Sequence, residues 1–238
     1  MTTGDADGLG NVRKNELKKS ALQLGLRNES DVFVIDDPSQ FPDSMTTSWS
    51  AMSIAALLAS AFTPDVSSTD TSQSTPNNRR TRSNGAATSN DAAPEATIDV
   101  LLTFDKSGVS NHPNHRSLYD GARTFLQSLM KGKAGYACPV SLYTLTSTNI
   151  LRKYVGVFDA PVAMISGAIA GLVEKKPKQT QSGEQLGNRL LYINGVGDWL
   201  SALKAMVKGH QSQMVWFRWG WISIGRYMVV NDLKREKI

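Results

Sequence analysis

The chain has a single cysteine, Cys138, among its 238 residues. That excludes an internal disulfide framework and a cysteine-rich zinc module, and leaves Cys138 as a small core or surface residue. No apolar run approaches the roughly 20 residues that a bilayer span needs. No charged segment followed by an apolar one opens the chain either, so neither a membrane span nor a signal peptide is expected. Histidine is scarce: only His112, His115 and His210 are present. Asp36-Asp37-Pro38 has the look of a pair of metal carboxylates, but no histidine stands in front of it. What is present fits one α/β domain, since 238 residues at 40% hydrophobic composition are enough for a sizeable core.

The most informative stretch is TIDVLLTFDKSGVSNHPNHRSLYDG, residues 97–121. Ile98, Val100, Leu101, Leu102 and Phe104 make a near-continuous apolar run, which predicts a central strand buried on both faces of a parallel sheet. Asp105 ends the run, and Lys106-Ser107-Gly108 with Ser110-Asn111 supply turn chemistry. From Asn114 through Leu118, Ala122 and Phe125 to Leu129 the apolar spacing is helical. His112 and His115 therefore fall just beyond the carboxyl end of a strand, the edge where open α/β sheets bind ligands. Two imidazoles three residues apart on a forming helical turn can face one site. One can serve as a metal ligand and the other can transfer a proton or stabilise an oxyanion, although a bare H-x-x-H is as well read as a polar loop.

The segment TFDKSGVSNHPNHRSLY resembles a signature of the N-acetylglucosaminyl-phosphatidylinositol de-N-acetylases, the eukaryotic branch of the LmbE-like zinc deacetylases, whose pattern reads approximately TFD-x-x-GVSGH-x-NH-x-x-LY. Asn111 replaces a glycine of that pattern. Upstream, NVRKNELKKSALQLGL and VIDDPSQFPDS are similar to the family's R-K-x-EL helix and to its acidic, proline-containing loop. Downstream, LKAMVKGHQSQMVWFRWGWISIGRYMVVNDL is similar to K-x-AM-x-x-H-x-SQ-x-x-WFR and RYM-x-x-N-x-L. SLYTLTSTNILRKYVGVFDAP also resembles the family, so the likeness covers most of the chain outside its inserts.

Elsewhere, a helix is expected from Val12 to Leu24, with Leu17, Ala21 and Leu24 on one face and Gly25 as its stop. Arg13 and Glu16 fall on one side of its first turn, where an exposed ion pair would contribute little. Val32 to Ile35 predicts a short buried strand, Trp49 to Phe62 an apolar helix, and Val140 to Leu145 and Leu190 to Ile193 two more strands. Polar inserts at about residues 67–95 and 174–187 lack the apolar surface to offset ordering, and the first carries Arg79-Arg80-Arg82. From Leu200 a helix ends at His210, followed by Trp216, Phe217, Trp219, Trp221 and Tyr227 interleaved with Arg218 and Arg226. Residues 204–238 hold seven Lys or Arg and two Asp or Glu, so their excess of +5 equals that of the whole chain. Aromatics mixed with arginine fit a membrane interface holding anionic lipid, while packing of such rings into the core is the commoner arrangement. No recognisable nucleic-acid-binding module is present.

The resemblance implies one LmbE-like domain over residues 1–238, a Rossmann-like three-layer sandwich with a mainly parallel sheet, lacking its first strand. It implies hydrolysis of the N-acetyl group of GlcNAc-phosphatidylinositol in GPI-anchor biosynthesis, at the cytoplasmic face of the endoplasmic reticulum membrane, with zinc or another divalent metal. Its partners would be that lipid substrate and a membrane surface, with no nucleic acid. By the same resemblance His115 is the metal ligand, His112 the catalytic partner, and Arg13, Asp105 and His210 contact the substrate. The family's Ala-His-Pro-Asp-Asp-Glu motif, which supplies further ligands and the carboxylate base, does not occur in this sequence. The chain alone is therefore expected to be inactive. A catalytically dead relative that binds or regulates is the alternative.

Overall fold

The computed structural model describes residues 8–63, 93–173 and 186–238. The inserts expected at 67–95 and 174–187, with Arg79-Arg80-Arg82, lie outside the described residues except for 93–95 and 186–187, which are irregular. The helices are α1 Gly10–Gln23, α2 Ala51–Phe62, α3 Gly108–Asn111, α4 Pro113–Leu129, α5 Ile150–Lys153, α6 Asp159–Val173, α7 Val196–Lys204 and α8 Trp216–Ile224. The strands are β1 Val100–Phe104, β2 Ser141–Leu145, β3 Arg189–Ile193 and β4 Val230–Arg235, hydrogen-bonded in the order β1-β2-β4-β3. β1 and β2 pair in parallel, with Leu101 beside Leu142, and β4 pairs antiparallel with both β2 and β3. Three strands thus share a direction and β4 runs against them.

The strand buried on both faces is β2, not β1. Leu142 joins the cluster of Ala55, Ala122, Phe125, Leu126 and Val140, and Tyr143, on the opposite face by strand alternation, is equally buried. β2 is enclosed because it has a neighbour on each side. β1 pairs only with β2 among the described strands, so Leu102 is left 58% exposed. Val32 to Ile35 forms no strand, since among the described residues no other strand lies beside it to take its backbone hydrogen bonds. β4 escapes a sequence reading because its buried Asp232 is polar. Arg189 on β3 donates to that carboxylate at 2.6 Å.

α2 and α4 build the main core against this sheet. Full burial of Phe125 and Leu126 stabilises the fold by about 1.5–3 kcal/mol each. The two helices approach so closely that a Cβ on Gly121 would fall within the side chain of Ile54. The Trp49 backbone N–H, just ahead of α2, donates to Ser117 Oγ of α4 at 2.9 Å. α1 ends as expected, with Gly25 at φ +101. Its buried face, however, is polar. Glu16 and Ser20 are buried while Leu24 is 58% exposed, because α1 packs on the π-helical turn Ala205–Gly209 that continues α7.

Candidate functional site

The loop after β1 is braced by one carboxylate. Asp105 Oδ1 accepts from the backbone N–H groups of Ser107 and Gly108, both at 3.0 Å, and from Ser147 Oγ at 2.6 Å. Its Oδ2 accepts from the Ser147 backbone N–H at 2.6 Å. Ser147 follows β2, so Asp105 ties the carboxyl ends of the two parallel strands together. Beyond the brace the backbone turns left-handed at Gly108, Val109 and Asn111, with φ of 60, 61 and 59°. A β-branched residue there is strained, and such strain collects at functional loops. Asparagine tolerates this region, so Asn111 serves where the family pattern carries glycine. Gly108 has no such substitute, since a Cβ there would lie 2.8 Å from that of His115.

This loop delivers the two histidines in opposite tautomers. His115 Nδ1 lies 3.0 Å from the Gly108 carbonyl oxygen, which can only accept. The ring proton is therefore on Nδ1 and Nε2 keeps a free lone pair, the arrangement of a metal-binding imidazole held by a carbonyl. Phe104 stacks on the ring at 4.1 Å and 11°. Burial pushes the His115 pKa below its ordinary value, with the Gly108 hydrogen bond opposing, so the ring is neutral at physiological pH. His112 caps α4: its Nδ1 accepts from the Asn114 backbone N–H at 3.2 Å, which leaves the proton on Nε2. The two ring centres are 5.1 Å apart.

A cleft of about 840 Å³ is lined by both rings together with Arg13, His210 and Arg218. α1 supplies Arg13, and α8 supplies Arg218. Glu16 does not form the exposed pair expected with Arg13. It is buried, and its carboxylate accepts from the Ser212 backbone N–H and Oγ, each at 2.6 Å, tying α1 to the turn after His210. Burial pushes the Glu16 pKa up, but the Ser212 hydrogen bonds and the nearby His210 outweigh it and hold it below the usual range. The His210 ring lies 3.3 Å from Gln213 Nε2, and burial lowers its pKa against the pull of Glu16. Burial and then Arg13 lower the Arg218 pKa, so two guanidinium groups repel across the same wall.

The structure thus brings together four of the five residues singled out in the sequence: Arg13, His112, His115 and His210. Asp105 sits beneath them, its oxygens engaged in the loop. Asp36 pairs with Lys14 at 2.6 Å, and Asp37 is held in its own turn by Ser39 and Gln40. Asp43 is the one acidic side chain among the described residues lining the cleft. Its sequence signal was its place in VIDDPSQFPDS, the stretch that resembles the family's acidic, proline-containing loop, although it was not singled out there. Among the described residues no three His, Cys, Asp or Glu side chains come together to hold a metal ion.

A histidine loop at the carboxyl edge of a mixed α/β sheet, facing a cleft with two arginines, is the layout of an α/β enzyme acting on a polar, anionic substrate. A family model described as PIG-L: GlcNAc-PI de-N-acetylase matches residues 1–126, just over half of the chain. The N-acetylglucosaminyl-phosphatidylinositol de-N-acetylase of Arthroderma benhamiae is 57% identical, over 99% of this chain and 70% of that protein. A probable enzyme of the same name from Schizosaccharomyces pombe is 30% identical over 99% and 72%. The Saccharomyces cerevisiae enzyme is 27% identical over 98% and 68%. No solved structure matches. The chain belongs to the PIG-L family of GlcNAc-PI de-N-acetylases.

Proposed function

We propose that the chain is a de-N-acetylase that removes the acetyl group of GlcNAc-phosphatidylinositol by hydrolysis, in GPI-anchor biosynthesis at the cytoplasmic face of the endoplasmic reticulum membrane. The observation that carries this reading is the pair of oppositely protonated histidines on one loop, facing a cleft with Arg13 and Arg218. His112, neutral with its proton on Nε2, suits hydrogen bonding to the acetamide carbonyl as negative charge builds on that oxygen. With Nδ1 engaged by the Asn114 N–H, His112 presents Nε2–H, which points the reading to the oxyanion role. Arg13 and Arg218 suit the phosphodiester of the lipid, whose charge would relieve their repulsion.

Zinc is the proposed metal, with His115 Nε2 as one ligand. A catalytic zinc ion supplies activated water and polarises the carbonyl, and it takes three protein ligands. The described residues do not make that set. The same observation favours the second reading, a relative that binds the lipid without turning it over.

The test assays the chain on GlcNAc-phosphatidylinositol with zinc, beside a version carrying a segment with the family's Ala-His-Pro-Asp-Asp-Glu motif ahead of it. The expected result is lipid binding by both and acetate release by the extended version alone, lost in His115→Ala. If neither binds the lipid, the substrate assignment fails. If the chain by itself turns over with zinc and His115→Ala abolishes this, the site is complete in residues other than those assigned, with Asp43 the first to replace.

A further inference from the structure

α6, DAPVAMISGAIAGLV, carries no charged side chain after Asp159. Its contact with the protein is narrow: Asp159 and Ala163 are buried, whereas Ile165 is 62% exposed and Leu172 88%. A helix on an aqueous surface keeps a polar face outward, and after Asp159 this one has Ser166 as its single polar side chain, its hydroxyl donating to the Ala163 carbonyl. The three-residue turn Gly156–Phe158 before it leaves Phe158 80% exposed. That turn abuts the end of α8, where a Cβ on Gly156 would lie 3.4 Å from the Ile224 carbonyl oxygen. α8 in turn exposes Trp216, Trp219 and Trp221 and buries only Ile222. The turn therefore adjoins both α6 and α8, and all three leave large apolar side chains exposed, as an interaction face does.

We propose that α6, the Gly156–Phe158 turn and α8 form one face that docks into the interfacial region of an anionic phospholipid bilayer without crossing it. Three features select lipid over a protein partner. Exposed tryptophans beside an apolar helix are the composition of a membrane interface. The chain as a whole carries a formal net charge of +5, which favours an anionic over a neutral surface. The cleft is continuous with this face, because Phe217 and Arg218 of α8 line it together with His112 and His115. α6 spans 15 residues, about 22 Å, too short for a hydrocarbon core of about 30 Å. Among the described residues no helix is long and apolar enough to cross. The proposal rests on the deacetylase reading only in taking lipid as the occupant.

The test uses the full chain and vesicles of phosphatidylcholine, alone or mixed with phosphatidylserine, containing no GlcNAc lipid. Co-sedimentation should rise with phosphatidylserine and fall with salt. A Phe158→Glu/Ile165→Glu variant should partition at least about tenfold less for each side chain lost from the apolar phase. Both positions are exposed, so its circular dichroism and melting should match the wild type. In the wild type, lipids brominated on their acyl chains should quench tryptophan emission, a readout independent of the variant's folding. Equal partitioning of variant and wild type, absence of quenching, or a variant that only converts a self-associated chain to monomers would overturn the proposal. A chain that binds these vesicles but not GlcNAc-phosphatidylinositol overturns the deacetylase reading and leaves this one standing.

Discussion

Asp105→Asn is the perturbation that separates loop geometry from loop chemistry. The carboxylate accepts four hydrogen bonds, two of them 2.6 Å from Ser147. An asparagine keeps one acceptor and turns an NH₂ group toward an N–H or O–H donor. At least one charge-assisted bond is lost, worth about 1.5–3 kcal/mol, and the others weaken as the charge goes. Partial exposure of Asp105 argues for the lower half of the resulting range, a total of about 2–4 kcal/mol. For a chain of this size that corresponds to a melting shift of roughly 4–16 °C. The second consequence falls on His115. Its pKa is depressed chiefly by burial beneath the loop, and release of the left-handed turn at Gly108 to Asn111 should admit water and return it toward 6.5. Thermal unfolding and a proton NMR titration of the His115 ring read the two effects separately. A variant that melts within 0.5 kcal/mol of wild type, near the size of an ordinary surface change, with an unshifted His115 would refute the brace.

Two further outcomes follow from the same geometry. Asp159 is buried between Arg152 and Arg226. Burial pushes its pKa up, but the two arginines outweigh this and hold it low, and among the described residues Arg226 Nη1 and Nη2 find no hydrogen-bond partner. Its stabilisation is complete above the unfolded carboxyl pKa of about 3.9 and is lost as pH falls through the lower folded value. Asp159→Asn should cost about 3–5 kcal/mol at neutral pH and flatten the acid limb of urea midpoint against pH, an outcome that an unchanged limb would contradict. At position 111, Asn111→Gly should stay within about 1 kcal/mol of wild type, whereas Asn111→Val should cost at least about 1–2 kcal/mol in denaturant unfolding. Equal stability of the two variants would remove the left-handed assignment.

The sequence by itself determined the elements whose signals are local. Apolar spacing located α4, β2 and β3, and glycine marked the end of α1. The strand-to-loop change at Asp105 put His112 and His115 at the carboxyl edge of the sheet, and the motifs led to the family. Pairing and burial were decided only in three dimensions, because each depends on a neighbour far along the chain. The β1 run reads as doubly buried, yet β1 pairs with one strand among those described, while β2 has a strand on each side. Val32 to Ile35 is apolar enough for a strand but has no strand partner among the described residues. Glu16 reads as a surface charge until Ser212, 196 residues on, supplies its donors. The tautomers of His112 and His115 were likewise hidden. Which ring nitrogen keeps its proton is set by one backbone N–H and one backbone carbonyl, and a sequence does not record where those point.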